Sequence, residues 1–219
     1  MTSAEQSAPY SSYDARRIRV MTRRAVFIDR DGTLAHEVGY VNHLSRFRLF
    51  PWAVDAVRLL NHGRLLAVVV TNQAGVARGY FPESLIGEVH ARMSETMQAG
   101  GARLDGIYYC PHHPSAGDPP YRQDCACRKP RPGLLRRAAD ELDIDLERSW
   151  VVGDREADLT LARNVGARAC LVRTGYGAGE LLWHASSWPR PPDVVADHLL
   201  EAVERILGEA GNDAEGPPA

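Results

Sequence analysis

A short apolar run, Ala25–Ile28, opens onto Asp29-Arg30-Asp31-Gly32-Thr33, and this junction constrains the chain more than any other feature. Side chains alternate along a strand, so in extended backbone Asp29 and Asp31 point the same way. In the turn that Gly32 permits, they converge on one point beyond the strand end. Two acids at one point repel unless a cation or a shared proton relieves them. The junction predicts a hard divalent metal, a nucleophilic carboxylate, or both.

The rest of the chain repeats the pattern of strand followed by helix. Ala25–Ile28, Leu65–Val70, Ile107–Tyr109, Trp150–Val152 and Ala169–Val172 read as short buried strands, with Val194–Ala196 as an edge strand. Between them Ala53–Asn61, Pro82–Gln98, Leu134–Leu142 and Ala157–Val165 read as helices, and a last one runs from about His198 to Leu207. Glycines at 63, 100 and 166 mark helix ends, and Pro82 marks a start. The alternation predicts an α/β fold: a three-layer, Rossmann-like parallel sheet with helices on both faces. Residues 23–209 are expected as one domain, flanked by a flexible segment 1–22 and a flexible tail 210–219, both polar or rich in Gly and Pro.

Composition excludes several classes. The formal net charge is −2 over 219 residues, which gives no support for a nucleic-acid or membrane-surface partner. The first two dozen residues hold five arginines and no apolar core of the secretory kind, and the longest apolar run, Leu65–Val70, is far too short to span a bilayer. The expectation is a cytoplasmic monomer acting on a small molecule. His36, His43, His62, His90, His184 and His198 are scattered and read as surface or packing residues.

Residues 111–133 form a long loop without periodicity, and such a loop is usually functional or braced. Around it lie Cys110-Pro111-His112-His113-Pro114, ten further residues, and Cys125-Ala126-Cys127-Arg128-Lys129-Pro130. The pairs Cys-x-His and Cys-x-Cys suit a tetrahedral Cys₃His zinc site of Cys110, His112, Cys125 and Cys127 in a loop spanning 110–127, with His113 as the alternative nitrogen ligand. Cys170 reads as a buried small hydrophobe.

Polar residues recur where the strands end. Thr71-Asn72-Gln73 follows the second strand, Gly153-Asp154 follows the fourth, and Asp158 comes four residues later. In an open parallel sheet the carboxyl ends line one crevice, so these groups can meet, with Arg128 and Lys129 at the rim. The set suits phosphoryl transfer. Mg²⁺ held by Asp29, Asp31 and Asp154 would offset the repulsion between a phosphate and an anionic nucleophile, while Thr71 and Lys129 donate to the phosphoryl oxygens. Asp29 would attack phosphorus, Asp31 would protonate the leaving oxygen and then activate water, and Asp158 would brace the loop.

These four elements, in this order, resemble the haloacid dehalogenase superfamily of phosphatases, which use the first Asp of the pair as nucleophile and the second as acid/base. The cysteine loop, Arg128-Lys129-Pro130 and the Gly39-Tyr40-Val41 segment resemble in particular the heptose-1,7-bisphosphate 7-phosphatases and, almost as well, the histidinol-phosphate phosphatases. The resemblance runs from about Arg24 to Gly177. It implies a Mg²⁺-dependent enzyme with a structural zinc loop and no large cap domain. It also implies that Glu37, Gly39, Tyr40, Asn72, Gln73 and Arg128 contact a phosphorylated sugar, and that Arg155 reaches its second phosphate. Two departures stand out: Ala74 where the family commonly has Ser, and Arg155 where it commonly has Lys. Arg grips phosphate as a fork and Lys as a point charge. The rival readings are a DNA 3′-phosphatase, which the even charge disfavours, and a non-catalytic zinc-loop binding module.

Overall fold

Leu66–Asn72 (β2) is buried at six of its seven positions and lies inside a sheet, paired in parallel with Ala25–Ile28 (β1) on one side and Gly106–Cys110 (β3) on the other. In a computed structural model of the chain, which describes residues 23–212, Trp150–Gly153 (β4), Arg168–Val172 (β5) and Val194–Ala196 (β6) extend the sheet beyond β1, all in parallel. The order is β3-β2-β1-β4-β5-β6.

The period-2 alternation of each strand divides the core in two. Val26, Ile28, Ala67 and Val69 face one layer, built on helices Ala53–His62 (α1), Ser84–Ala99 (α2) and Leu199–Asn212 (α6). Ala25, Phe27, Leu66, Val68 and Val70 face the other, built on Gly133–Leu142 (α3) and Glu156–Arg163 (α4). Sheets buried on both faces need near-continuous apolar strands, which is why β1, β2 and β4 read so plainly in the sequence. The three-layer parallel architecture expected from the sequence is therefore the one observed.

Several boundaries differ from expectation. β2 continues through Thr71 and Asn72, because β3 pairs with both (Thr71 with Tyr109, Asn72 with Cys110). A short helix, Gly177–Trp183 (α5), follows β5 where none was expected. α6 runs to Asn212, inside the stretch expected as tail. The expected flexible segment 1–22 and the tail beyond Asn212 lie outside the described residues. Between β1 and α1 the chain forms a single 3₁₀ turn, Leu44–Arg46, so no inserted cap domain stands there. No described helix is long and apolar enough to cross a membrane.

The strand order reverses between β1 and β4. Their carboxyl ends part there and leave a crevice, the place where open α/β sheets bind ligands. Asp29 follows β1 and Asp154 follows β4, so both carboxylates sit at this switch point.

Candidate active site

Asp29 leaves β1 still tied to β4, its N–H donating to Val152 O at 2.9 Å. Lys129 arrives from the loop before α3. Its Nζ donates to Asp29 Oδ1 at 2.6 Å, to Asp158 Oδ1 at 2.7 Å and to Val70 O at 3.2 Å. Asn72 anchors this lysine by its backbone: Lys129 N–H donates to Asn72 Oδ1 (3.1 Å), and Asn72 Nδ2 donates to Lys129 O (3.2 Å). Thus β2 positions the lysine with one side chain and one carbonyl.

The site is buried, and its titration behaviour follows from that. Burial pushes the Asp29 carboxyl up to about 7; Lys129 opposes this, and the charges of Asp158 and Asp31 reinforce it. Asp154 is pushed up to about 8, by burial first and then by the Asp29 and Asp158 charges. Burial pulls Lys129 down, but Asp158 and Asp29 more than offset it and the net direction is up. A nearby positive charge favours the ionised carboxylates that a nucleophile needs.

A divalent cation fits this set. Asp29, Asp154 and Asp158 each offer an oxygen within 4.8 Å of the others. Asp154 Oδ2 accepts the Tyr176 N–H at 2.8 Å, whereas Oδ1 is buried with no hydrogen-bond partner among the described residues. A buried, unsatisfied carboxylate oxygen is what a hard cation takes. Gly32 makes room for it. Its φ is +92°, and a Cβ there would overlap the Asp154 carboxylate.

Asp31, expected as a metal ligand, lines the same cavity as Asp29, with its carboxylate held by neighbouring side chains. Its oxygens are gripped by Arg30, with Nε to Oδ1 at 3.1 Å and Nη2 to Oδ2 at 2.7 Å, and Oδ2 also accepts Gln73 Nε2 at 2.8 Å. The Asp31 carboxylate is not among the acid oxygens that lie within 4.8 Å of one another. Asp158, expected as a brace, takes the third place there, yet it does brace: it holds Lys129 and accepts the Arg155 N–H at 3.3 Å.

A cavity of about 320 Å³ opens above Asp29 and Asp31, lined also by Glu37, Tyr40, Thr71, Asn72, Arg128, Lys129 and Arg155. Burial raises the Glu37 carboxyl, against the hydrogen bond it accepts from the Gly39 N–H. Gly39 itself lines a neighbouring cleft with His36 and Tyr176. Arg128 is held by its bond to His112 O at 3.2 Å, and the Arg155 guanidinium lies 3.6 Å over the Tyr176 ring. Gln73, expected to contact substrate, is buried and spends its amide on Asp31 and Thr71 Oγ1 (2.9 Å). Ala74 also lines the cavity, so the departure from Ser falls on its wall.

Behind this wall, ligand atoms of Cys110, His112, Cys125 and Cys127 lie within 4.8 Å of one another. His112 Nδ1 is 3.6 Å from Cys110 Sγ and 3.4 Å from Cys127 Sγ. His113 turns instead to Arg78 Nη2 at 2.9 Å, and His112 is the histidine that lies with the three sulfurs. Cys125 and Cys127 are joined in a disulfide. The cluster is compatible with a metal loop.

Sequence reasoning missed Arg30 and His90. Arg30 is 1% exposed, and its Nη1 faces His90 Nε2 at 3.3 Å. A charged residue between two acids reads as a solvated rim, and only tertiary packing buries it.

The HAD-hydrolase-like family matches residues 126–202. A D-glycero-β-D-manno-heptose-1,7-bisphosphate 7-phosphatase of Escherichia coli is 42% identical over 166 residues, 75% of this chain and 86% of that protein. The Haemophilus influenzae protein of the same name is 44% identical over 186 residues, 82% and 92% of the two chains. A solved structure of a D,D-heptose 1,7-bisphosphate phosphatase from B. bronchiseptica, complexed with magnesium and phosphate, superposes with a TM-score of 0.75 at 31% identity, covering 85% of this chain and 99% of that one. With that identity over most of both chains, and with its acids, lysine and threonine gathered at one switch point, the chain belongs to the HAD-like hydrolases, in the heptose-bisphosphate phosphatase family.

Proposed function

We propose that this enzyme hydrolyses the 7-phosphate of D-glycero-D-manno-heptose 1,7-bisphosphate through an aspartyl-phosphate on Asp29. The observation that carries the reading is the Lys129 bridge between Asp29 and Asp158 at the floor of a cavity walled by Arg128 and Arg155. Relatives named for this activity support the substrate.

Asp29 attacks phosphorus as the bond to the sugar oxygen breaks, and Asp31 gives that oxygen its proton. Asp31 then takes a proton from the water that cleaves the acyl phosphate, releasing inorganic phosphate and restoring Asp29. Thr71 and Lys129 donate to the phosphoryl oxygens as charge builds on them. Asp29 and Asp154 would hold Mg²⁺, which, when bound, screens the carboxylates from the phosphate and steadies the charge in transfer. Arg128 and Arg155 form the second cationic subsite that a bisphosphate needs. Histidinol phosphate carries a cationic amine, which the same two guanidinium groups repel.

The cysteine cluster is proposed as a structural zinc site that fixes Arg128 and Lys129. A closed four-ligand site has no open position for hydrolysis. About one zinc per chain and four alkylatable thiols after chelation support this; no zinc and only two free thiols support the disulfide instead. The function itself is tested by Mg²⁺-dependent phosphate release from heptose 1,7-bisphosphate, histidinol phosphate and a 3′-phosphorylated oligonucleotide. Equal or greater turnover of either alternative overturns the substrate, and binding without turnover of any of the three favours the non-catalytic module.

A further inference from the structure

We propose that Arg30 and His90 are positioning residues that set which oxygen of Asp31 carries the catalytic proton. This rests on the reading of Asp31 as the acid/base. An ionised carboxylate has about four lone-pair sites, two on each oxygen. Oδ2 spends both, accepting Arg30 Nη2 at 2.7 Å and Gln73 Nε2 at 2.8 Å. Oδ1 accepts Arg30 Nε alone, at 3.1 Å, among the described residues. Oδ1 therefore keeps a site for the proton that passes to the leaving oxygen and later comes from water.

The fork orients Asp31 only as firmly as Arg30 itself is held. The guanidinium is buried, with Phe47 beneath it at 5.8 Å, and its remaining Nη1 faces His90 Nε2 at 3.3 Å. Arginine has donors only, so Nε2 must accept, and His90 must be neutral with its proton on Nδ1. The environment agrees: burial first, and then the Arg30 charge, hold His90 down to about 4. His90 is fixed in turn by the edge of Tyr109, ring centroids 5.6 Å apart, and Tyr109 Oη donates to Glu83 Oε1 at 2.9 Å. Glu83 Oε2 accepts Tyr121 Oη at 2.7 Å, so the chain of supports ends in the cysteine-histidine loop. A charged guanidinium in a dry pocket is costly to leave short of acceptors, and His90 supplies one for Nη1, the nitrogen that bonds neither Asp31 oxygen.

The test compares kcat/KM, which reports steps through leaving-group departure, on two esters. One is the sugar bisphosphate, whose alkoxide needs a proton. The other is para-nitrophenyl phosphate, whose phenolate does not. His90→Phe is expected to lower kcat/KM on the sugar about ten-fold, a part of the hundred-fold or more that a positioned acid supplies, and to change the aryl ester by less than about two-fold. His90→Gln, which offers an acceptor oxygen, is expected to restore most of the loss. Equal losses on both esters, or no loss on either, overturn the proposal, and so does a Gln variant no better than Phe. Arg30→Met should show a larger loss of the same selectivity, and the His90 variants decide the matter if it does not fold. Asp31→Asn distinguishes the two layers: an equal loss on both esters there refutes Asp31 as the acid, whatever the His90 variants do.

Discussion

The Nζ of Lys129 lies 2.6 Å from Oδ1 of Asp29, and the same ammonium reaches Asp158. One buried cation thus serves two buried anions, and its removal leaves both uncompensated. Lys129→Met is expected to cost about 3–5 kcal/mol in stability, the typical penalty for breaking a buried pair. It should also lower kcat on the order of a hundred- to a thousand-fold, as loss of one preorganised donor does. Denaturant melts and steady-state kinetics on the same preparation measure the two effects. A variant that loses activity with unchanged stability would show the lysine to be solvated in solution.

Magnesium should stabilise the protein more as pH rises. Asp29 and Asp154 have folded values near 7 and 8, raised above the ordinary 3.8 by burial. A raised acid binds more protons folded than unfolded, so its contribution is present at low pH and lost as pH climbs from about 4 through the folded values. A cation at these oxygens removes that loss. The rise in Tm on adding Mg²⁺ is expected to be larger at about pH 8 than at about pH 5, with about 2–4 °C for each kcal/mol of relief. A rise independent of pH, read by calorimetry, counts against these carboxylates as the ligands.

His90 should act in the opposite sense. Its folded value is depressed to about 4 from 6.5, chiefly by burial. A depressed histidine stabilises the fold fully above about pH 6.5, and the contribution falls away as pH drops toward 4. The loss is at most about 3 kcal/mol for a shift of this size. The stability advantage of the native chain over His90→Gln should shrink between about pH 7 and about pH 5, in melts run without metal so that the carboxylates are common to both.

Gly32→Ala should silence the enzyme. Any Cβ there meets the Asp154 carboxylate, and the backbone has φ of +92°. Strain in this region costs about 1–3 kcal/mol, so the chain should still fold while Asp154 is displaced. Loss of Mg²⁺ binding by isothermal titration, with a retained cooperative melt, is the expected outcome.

What could be read from the sequence follows from physical range. Strands β1, β2 and β4 were legible because a sheet buried on both faces demands unbroken apolar runs. The gathering of Asp29, Thr71, Lys129 and Asp154 was legible because parallel strands send their carboxyl ends to one side. Helix α5 was not: it opens Gly-Ala-Gly and leaves Leu182 and Trp183 exposed, so it presents no apolar stripe. Nor were the bonds that Asn72 and Gln73 make within the protein, since their partners, Lys129 and Asp31, lie 57 and 42 residues away. Arg30 was hidden for the same reason, since the His90 and Phe47 contacts that bury it come from other elements.

The sheet's far margin bears on how molecules of this enzyme meet one another. β6 is three residues long, preceded by Pro191 and Pro192 and bracketed by Asp193 and Asp197. A brief margin with prolines and acids at its ends offers a neighbouring chain few free amides to pair with. The strand that completes the sheet thereby also ends it, leaving little edge on that side for the strand of another chain to extend.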